Sequence, residues 1–200
     1  MSSVASEQLG GTPPAITGAD LATIPNLLSV GRVIGVSVAV LAYFAGYPWV
    51  TIVLGTVACL TDHLDGYFAR RLKQETTLGA MLDQAADSYT AAIALAMLVV
   101  AGGFPFAFLM VFLAREFWVA TVRRYAALRR IEIPSHLVGK MATAVIYWSM
   151  LVMAIAIMLD VPPQHAAWMK PLALGSLVVG LALSCAAGWR YTQALAGGRA

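Results

Sequence analysis

Residues 62–88, DHLDGYFARRLKQETTLGAMLDQAADS, carry four aspartates, Asp62, Asp65, Asp83 and Asp87, in a chain that is otherwise mostly apolar. Of its 200 residues 60% are hydrophobic and 12% are charged. A soluble domain carries about 25% charged residues, so the composition is that of an integral membrane protein. An ionisable side chain at membrane depth is costly and is a functional candidate by default. Four acids so close together need a common partner, and a hard divalent cation, or a pair of them, is the simplest one.

Helical spacing organises these acids. Asp62, Asp65 and Ala69 lie three and four residues apart and share one helix face; Asp83 and Asp87 are four apart and share another, one turn beyond Gly79. Two antiparallel helices joined near residues 71–77 would bring both faces together. Oxygen-only ligands in a small site favour Mg2+ or Mn2+, and two such ions form a usual clamp for phosphoryl transfer. Gly66 and Gly79 each cost roughly 1 kcal/mol in a helix interior, so they need a reason. Close approach of a ligand to backbone is one; close packing of membrane helices is the other. Arg70 beside the acids suits either a phosphate contact or a snorkelling anchor.

Working outward, six segments are apolar and long enough to cross a bilayer, near 24–45, 48–70, 78–100, 104–124, 138–159 and 171–194. Short loops favour antiparallel neighbours, so the expected fold is an all-α bundle of six transmembrane helices with a cytoplasm-facing polar cavity. Residues 1–17 read as a disordered tail, and 18–200 as a single membrane domain. No cleavable signal peptide is expected, because the first residues lack a charged stretch followed by an apolar core. With the N-terminus inside, the inner ends and loops hold Arg70, Arg71, Lys73, Arg123, Arg124, Arg129, Arg130, Lys140, Arg190 and Arg199, and the outer loops only Lys170. The outer loops hold turn residues instead: Gly46 and Pro48, residues 102–105, Pro162 and Pro163. The acids then lie at the cytoplasmic ends of the second and third helices. A net charge of +3 is loop charge and gives no reason to expect nucleic acid.

The pattern Asp62-x2-Asp65-Gly66-x2-Ala69-Arg70-x8-Gly79-x3-Asp83-x3-Asp87 resembles the complete signature of the CDP-alcohol phosphotransferase family, with all eight fixed positions and both spacings present. The resemblance implies a six-helix membrane enzyme, often a homodimer, that moves a substituted phosphate from a CDP-linked donor to an alcohol and releases CMP. It implies that Asp62, Asp65 and Asp83 bind two divalent metals and that Asp87 completes the metal site or acts as general base. Gly66, Ala69 and Gly79 would line the cytidine pocket and Arg70 would contact the donor diphosphate. The stretches NLLSVGR (Asn26 to Arg32), AREFW (around Arg115) and GKMAT (around Lys140) resemble segments of bacterial phosphatidylglycerophosphate synthases. That likeness implies CDP-diacylglycerol as donor, glycerol 3-phosphate as acceptor, and a bacterial inner or plasma membrane. Those synthases usually have Pro after the third Asp and Lys after the fourth, where this chain has Gln84 and Ser88. Inositol phosphate and phosphatidylglycerol are the alternative acceptors.

Outside the signature, Arg32, Arg115, Arg123 and Lys140 suit an anionic acceptor, since phosphate calls for several donors. Each also has a plainer reading. Arg115 with Glu116 makes an ion pair within the bundle, and Arg123 with Arg124 serves topology and lipid headgroups. His63 points away from the acids, and His136 and His165 read as loop residues. Cys59 and Cys185 read as small buried hydrophobes. Tyr47, Trp49 and Trp168 fit an interfacial aromatic belt. A divalent-cation transporter is the rival class, because it too would use intramembrane carboxylates, but it would not require the glycines and arginine at these spacings.

Overall fold

The computed structural model describes residues 23–58, 77–129, 137–159 and 161–196. Among them are six helices: α1 (Ile24–Phe44), α2 (Pro48–Ala58), α3 (Thr77–Val100), α4 (Phe106–Leu128), α5 (Leu137–Met158) and α6 (Pro163–Ala196). Three stretches, Asn26–Phe44, Leu137–Met158 and Pro163–Ala196, are long and apolar enough to cross a membrane. In α3 and α4 the apolar run is interrupted by the very residues that draw attention to them, Asp83 and Asp87 in one, Arg115, Glu116, Arg123 and Arg124 in the other. Large apolar side chains cover the outside, with Leu41, Trp49 and Phe117 all more than two-thirds exposed. A soluble monomer rarely exposes apolar surface on that scale, and a lipid-facing bundle must.

The turns follow from local chemistry. α1 opens after Thr23, in extended backbone, with a proline in the first turn, where its fixed φ and missing N–H do no harm. α1 and α3 both end on a glycine with positive φ, Gly46 at +86° and Gly102 at +77°. In each case the chain closes on itself in the same way. The N–H groups of Gly46 and Tyr47 reach Tyr43 O and Ala42 O at 3.0 and 2.9 Å; those of Gly102 and Gly103 reach Val99 O and Leu98 O at 3.0 and 2.8 Å. These paired bonds satisfy helix-terminal carbonyls and turn the chain back within a few residues, as the expected outer turns require.

The last helix is longer than its apolar pattern suggests. It starts at Pro163, eight residues before the expected boundary, and runs through Pro171. Pro163 occupies the first helical position, so the proline that reads as a loop residue is a helix initiator. His165, expected in a loop, lies exposed in that first turn. Cys185 does not join the core: it is exposed on α6, off the stripe of Leu177, Leu181, Ser184, Ala187 and Tyr191 that helical periodicity buries. Cys59, His63 and His136 lie outside the described residues.

The core sits towards the end of the bundle where Gly102 turns. It is built from Leu95 and Leu98 of α3, Phe104, Phe112 of α4, Ile146 and Met153 of α5, and Ala173 and Leu177 of α6. α5 and α6 share the most extensive contact of any helix pair, drawn close by Gly180, where an added Cβ would stand 2.8 Å from Ile146 Cγ1. Two hydroxyl contacts hold α1 in place: Thr51 Oγ1 of α2 donates to Ala39 O at 2.9 Å, and Ser37 Oγ lies 2.8 Å from the Tyr89 hydroxyl of α3. With this end filled by apolar side chains, the starts of α1, α3 and α5 and the ends of α4 and α6 meet at the other. The polar residues gather there.

Candidate active site

The site begins with the first half of α3. Asp83 and Asp87, one turn apart, present their carboxylates on the same side, each about half exposed. α1 answers with a buried polar stripe at three-residue spacing, Asn26, Ser29 and Arg32, in a helix whose other faces are apolar. Arg32, 3% exposed, reaches both acids: Nη2 donates to Asp83 Oδ1 at 3.1 Å and Nη1 to Asp87 Oδ1. One planar guanidinium thus bridges two carboxylates, which the fork geometry of arginine suits and a lysine could not match.

Beyond Asp87 a cavity of about 280 Å3 opens between α3, α4, α5 and α6. Asp87 and Ser88 form part of its wall from α3, Arg115, Glu116 and Arg123 from α4, Gly139 and Lys140 from α5, and Tyr191 from α6. Arg115 and Glu116 are an ion pair, and Glu116 Oε2 also accepts from Ser88 Oγ at 2.6 Å. Arg123 lies over the Tyr191 ring, 5.5 Å from its centroid, a cation–π geometry. Gly139 has a steric reason to be glycine: a Cβ there would stand 3.2 Å from the Tyr191 hydroxyl. Trp118 Nε1 donates to Thr192 Oγ1 at 3.0 Å, so the end of α4 that carries Arg123 is tied to α6.

Three cations that read separately in the sequence, Arg115, Arg123 and Lys140, therefore border one cavity, and Asp87 borders it too. Arg32 and Asn26 do not line it; Arg32 sits on the acids instead. Gly79 lies half-buried one turn before Asp83. Asp62, Asp65, Gly66, Ala69 and Arg70 lie outside the described residues. Tyr191 and the Ser88–Glu116 contact were not legible as site features. A signal for Tyr191 was available in Gly188, which stands one turn before it with Arg190 between, small where α4 comes close: a Cβ on Gly188 would lie 3.1 Å from Val119 Cγ2.

The arrangement offers an acid face for cations and, beside it, a cationic cavity for an anion. Residues 22–186 match the family model for CDP-alcohol phosphatidyltransferases. The CDP-diacylglycerol–glycerol-3-phosphate 3-phosphatidyltransferase of Pseudomonas fluorescens is 39% identical over 109 residues, which cover 52% of this chain and 56% of that protein. A probable phosphatidylglycerophosphate synthase of Mycobacterium tuberculosis is 34% identical over 167 residues, covering 80% of this chain and 74% of the relative. The CDP-diacylglycerol–glycerol-3-phosphate 3-phosphatidyltransferase of Bacillus subtilis is 26% identical over 184 residues, 84% of this chain and 92% of its own length. This chain is thus a member of the CDP-alcohol phosphatidyltransferase family.

Proposed function

We propose that the protein transfers the phosphatidyl group of CDP-diacylglycerol to a hydroxyl of glycerol 3-phosphate and releases CMP, a step of phospholipid biosynthesis. The observation that carries this reading is the convergence of Arg115, Arg123 and Lys140 on the cavity bordered by Asp87. Glycerol 3-phosphate needs donors for its phosphate and a proton acceptor at its hydroxyl, and this cavity offers both. Its likeness to the relatives named for that acceptor points the same way.

In balance, the acceptor oxygen forms a bond to the lipid-bearing phosphorus. The bond from that phosphorus to the oxygen bridging it to CMP breaks, and the hydroxyl proton passes to Asp87. We assign two divalent ions, Mg2+ or Mn2+, to Asp62, Asp65, Asp83 and Asp87. The donor set fits a hard cation. Asp83 and Asp87 offer carboxylate oxygens one turn apart, and the guanidinium of Arg32 rests between them. When bound, such ions neutralise the donor diphosphate and stabilise the departing CMP. Gly66, Ala69, Arg70 and Gly79 are assigned to the nucleotide and diphosphate of the donor.

The same reading takes the helices as six spans, with the cavity open to the cytoplasm of a bacterial inner membrane and the chain as a homodimer. Charge asymmetry supports the orientation, since Arg123, Arg124, Arg129, Lys140 and Arg190 belong to the polar end and Lys170 to the other, and the homodimer rests on the family resemblance alone. Nothing in the comparisons favours a cation transporter.

The test is CMP release by purified protein in detergent with CDP-diacylglycerol and Mg2+, against glycerol 3-phosphate, inositol 1-phosphate, serine and phosphatidylglycerol. Release with glycerol 3-phosphate alone is expected. Release only with another acceptor keeps the chemistry and discards this substrate, and metal uptake by vesicles without any CMP would restore the transporter.

A further inference from the structure

Ser88 directly follows Asp87, yet its hydroxyl turns to another helix, donating to Glu116 Oε2 of α4 at 2.6 Å. The other carboxylate oxygen of Glu116 accepts from Arg115 Nη1. This contact stands where two cavities meet. Ser88, Glu116, Gln84, Ala120 and Arg123 border both the 280 Å3 cavity and a second one of about 450 Å3 between α3 and α4. A carboxylate in the wall of an anion-binding cavity repels the ligand unless it is engaged, and here both of its oxygens are. The Arg115 side chain is 14% exposed, and its Nε is buried with no hydrogen-bond partner among the described residues.

We propose that Ser88 and Glu116 are positioning residues for an anionic acceptor. Ser88 fixes Glu116 to the acid helix, and Glu116 in turn fixes the guanidinium of Arg115 at the cavity wall. The phosphate of the acceptor is thereby set at a constant distance from Asp87, where its hydroxyl reacts. The pair also raises the selectivity for anionic over neutral alcohols, because Arg115 is already oriented before the ligand arrives. This inference rests on the acceptor assignment proposed above, and it concerns a serine that the usual pattern of the resembling synthases replaces by lysine.

The test compares Ser88→Ala and Ser88→Thr with the unaltered protein in CMP release, varying glycerol 3-phosphate at saturating CDP-diacylglycerol and then the reverse. Loss of a hydrogen bond to a charged group predicts that Ser88→Ala raises the acceptor KM about tenfold, leaves the donor KM unchanged, and is rescued by Ser88→Thr to within about twofold. An unchanged acceptor KM, or a fall in kcat alone, overturns the proposal. A second readout needs no turnover: inorganic phosphate should stabilise the unaltered protein against heat at roughly tenfold lower concentration than it stabilises Ser88→Ala. Equal phosphate midpoints overturn the proposal as well. If the unaltered protein makes no CMP with glycerol 3-phosphate, the acceptor assignment fails, while the phosphate midpoints still decide the role of Ser88.

Discussion

Arg32 gives the sharpest test of how the acid face is held. It is 3% exposed and donates to two carboxylates that are each about half exposed. A hydrogen bond to a charged group contributes about 1.5–3 kcal/mol, so two would give roughly 3–6 kcal/mol if both partners were fully buried. Here the acids regain part of their hydration when the guanidinium is removed, which discounts the figure as it does for exposed ion pairs. About 2 kcal/mol remains for Arg32→Gln, a shift of ~4–8 °C in Tm for a chain of this size. The assay is thermal unfolding in detergent of the unaltered protein, Arg32→Gln, Asp87→Asn and the double variant. If the bridge is real, the two single effects are not additive, with a coupling of about 1–2 kcal/mol between them. Additivity to within about 0.5 kcal/mol would show that Arg32 and Asp87 do not share an interaction, and would refute the reasoning.

Two other substitutions test separate parts of the molecule. Arg123→Gln removes a cation from the cavity and the contact over Tyr191, so the KM for glycerol 3-phosphate should rise about tenfold with the donor KM unchanged, measured by CMP release. Gly180→Ala places a Cβ 2.8 Å from Ile146 Cγ1 and 3.2 Å from Ile146 N. Separating α5 from α6 should outweigh the helix-propensity gain and destabilise by about 1–2 kcal/mol, with Ile146→Ala in the same chain restoring part of the loss in thermal unfolding.

The helices and their turns were legible because their signals are local. Apolar length marks a span, and a glycine before a proline-bearing loop marks a turn; Gly46 and Gly102 indeed take the positive φ that stops α1 and α3. The acid pair on α3 was legible for the same reason, since a spacing of four places two side chains on one face wherever the helix lies. The start of α6 was not. Polar residues between Pro163 and Pro171 break the apolar pattern, but proline tolerated at the start of a helix and surface-facing side chains do not break the helix itself. The partner of Arg32 was also hidden. Sequence pattern offers Arg32 for an anionic acceptor, but which charge it meets depends on how α1 packs against α3, a contact 51 to 55 residues away in the chain.

The cations show most clearly what sequence pattern leaves open. Arg115, Arg123 and Lys140 had two readings each, a lipid or structural one and a ligand one, and no local rule separates them. The bundle brings all three to the border of one cavity. Arg124 borders the second cavity, between α3 and α4, and Arg129, just past the end of α4, donates to the Tyr125 hydroxyl at 3.0 Å. Arg123, next to Arg124 in sequence, instead lies 100° around the helix and over Tyr191. Adjacent cations on one helix thus meet different neighbours. The same logic governs the carboxylates: Glu116 is engaged by Ser88 and Arg115, while Asp87 is bridged by Arg32 yet still borders the cavity. A cavity with three cations and one engaged carboxylate is net positive on its α4 and α5 walls and acidic on its α3 wall. That polarity favours an acceptor that carries its charge at one end and a reactive hydroxyl at the other.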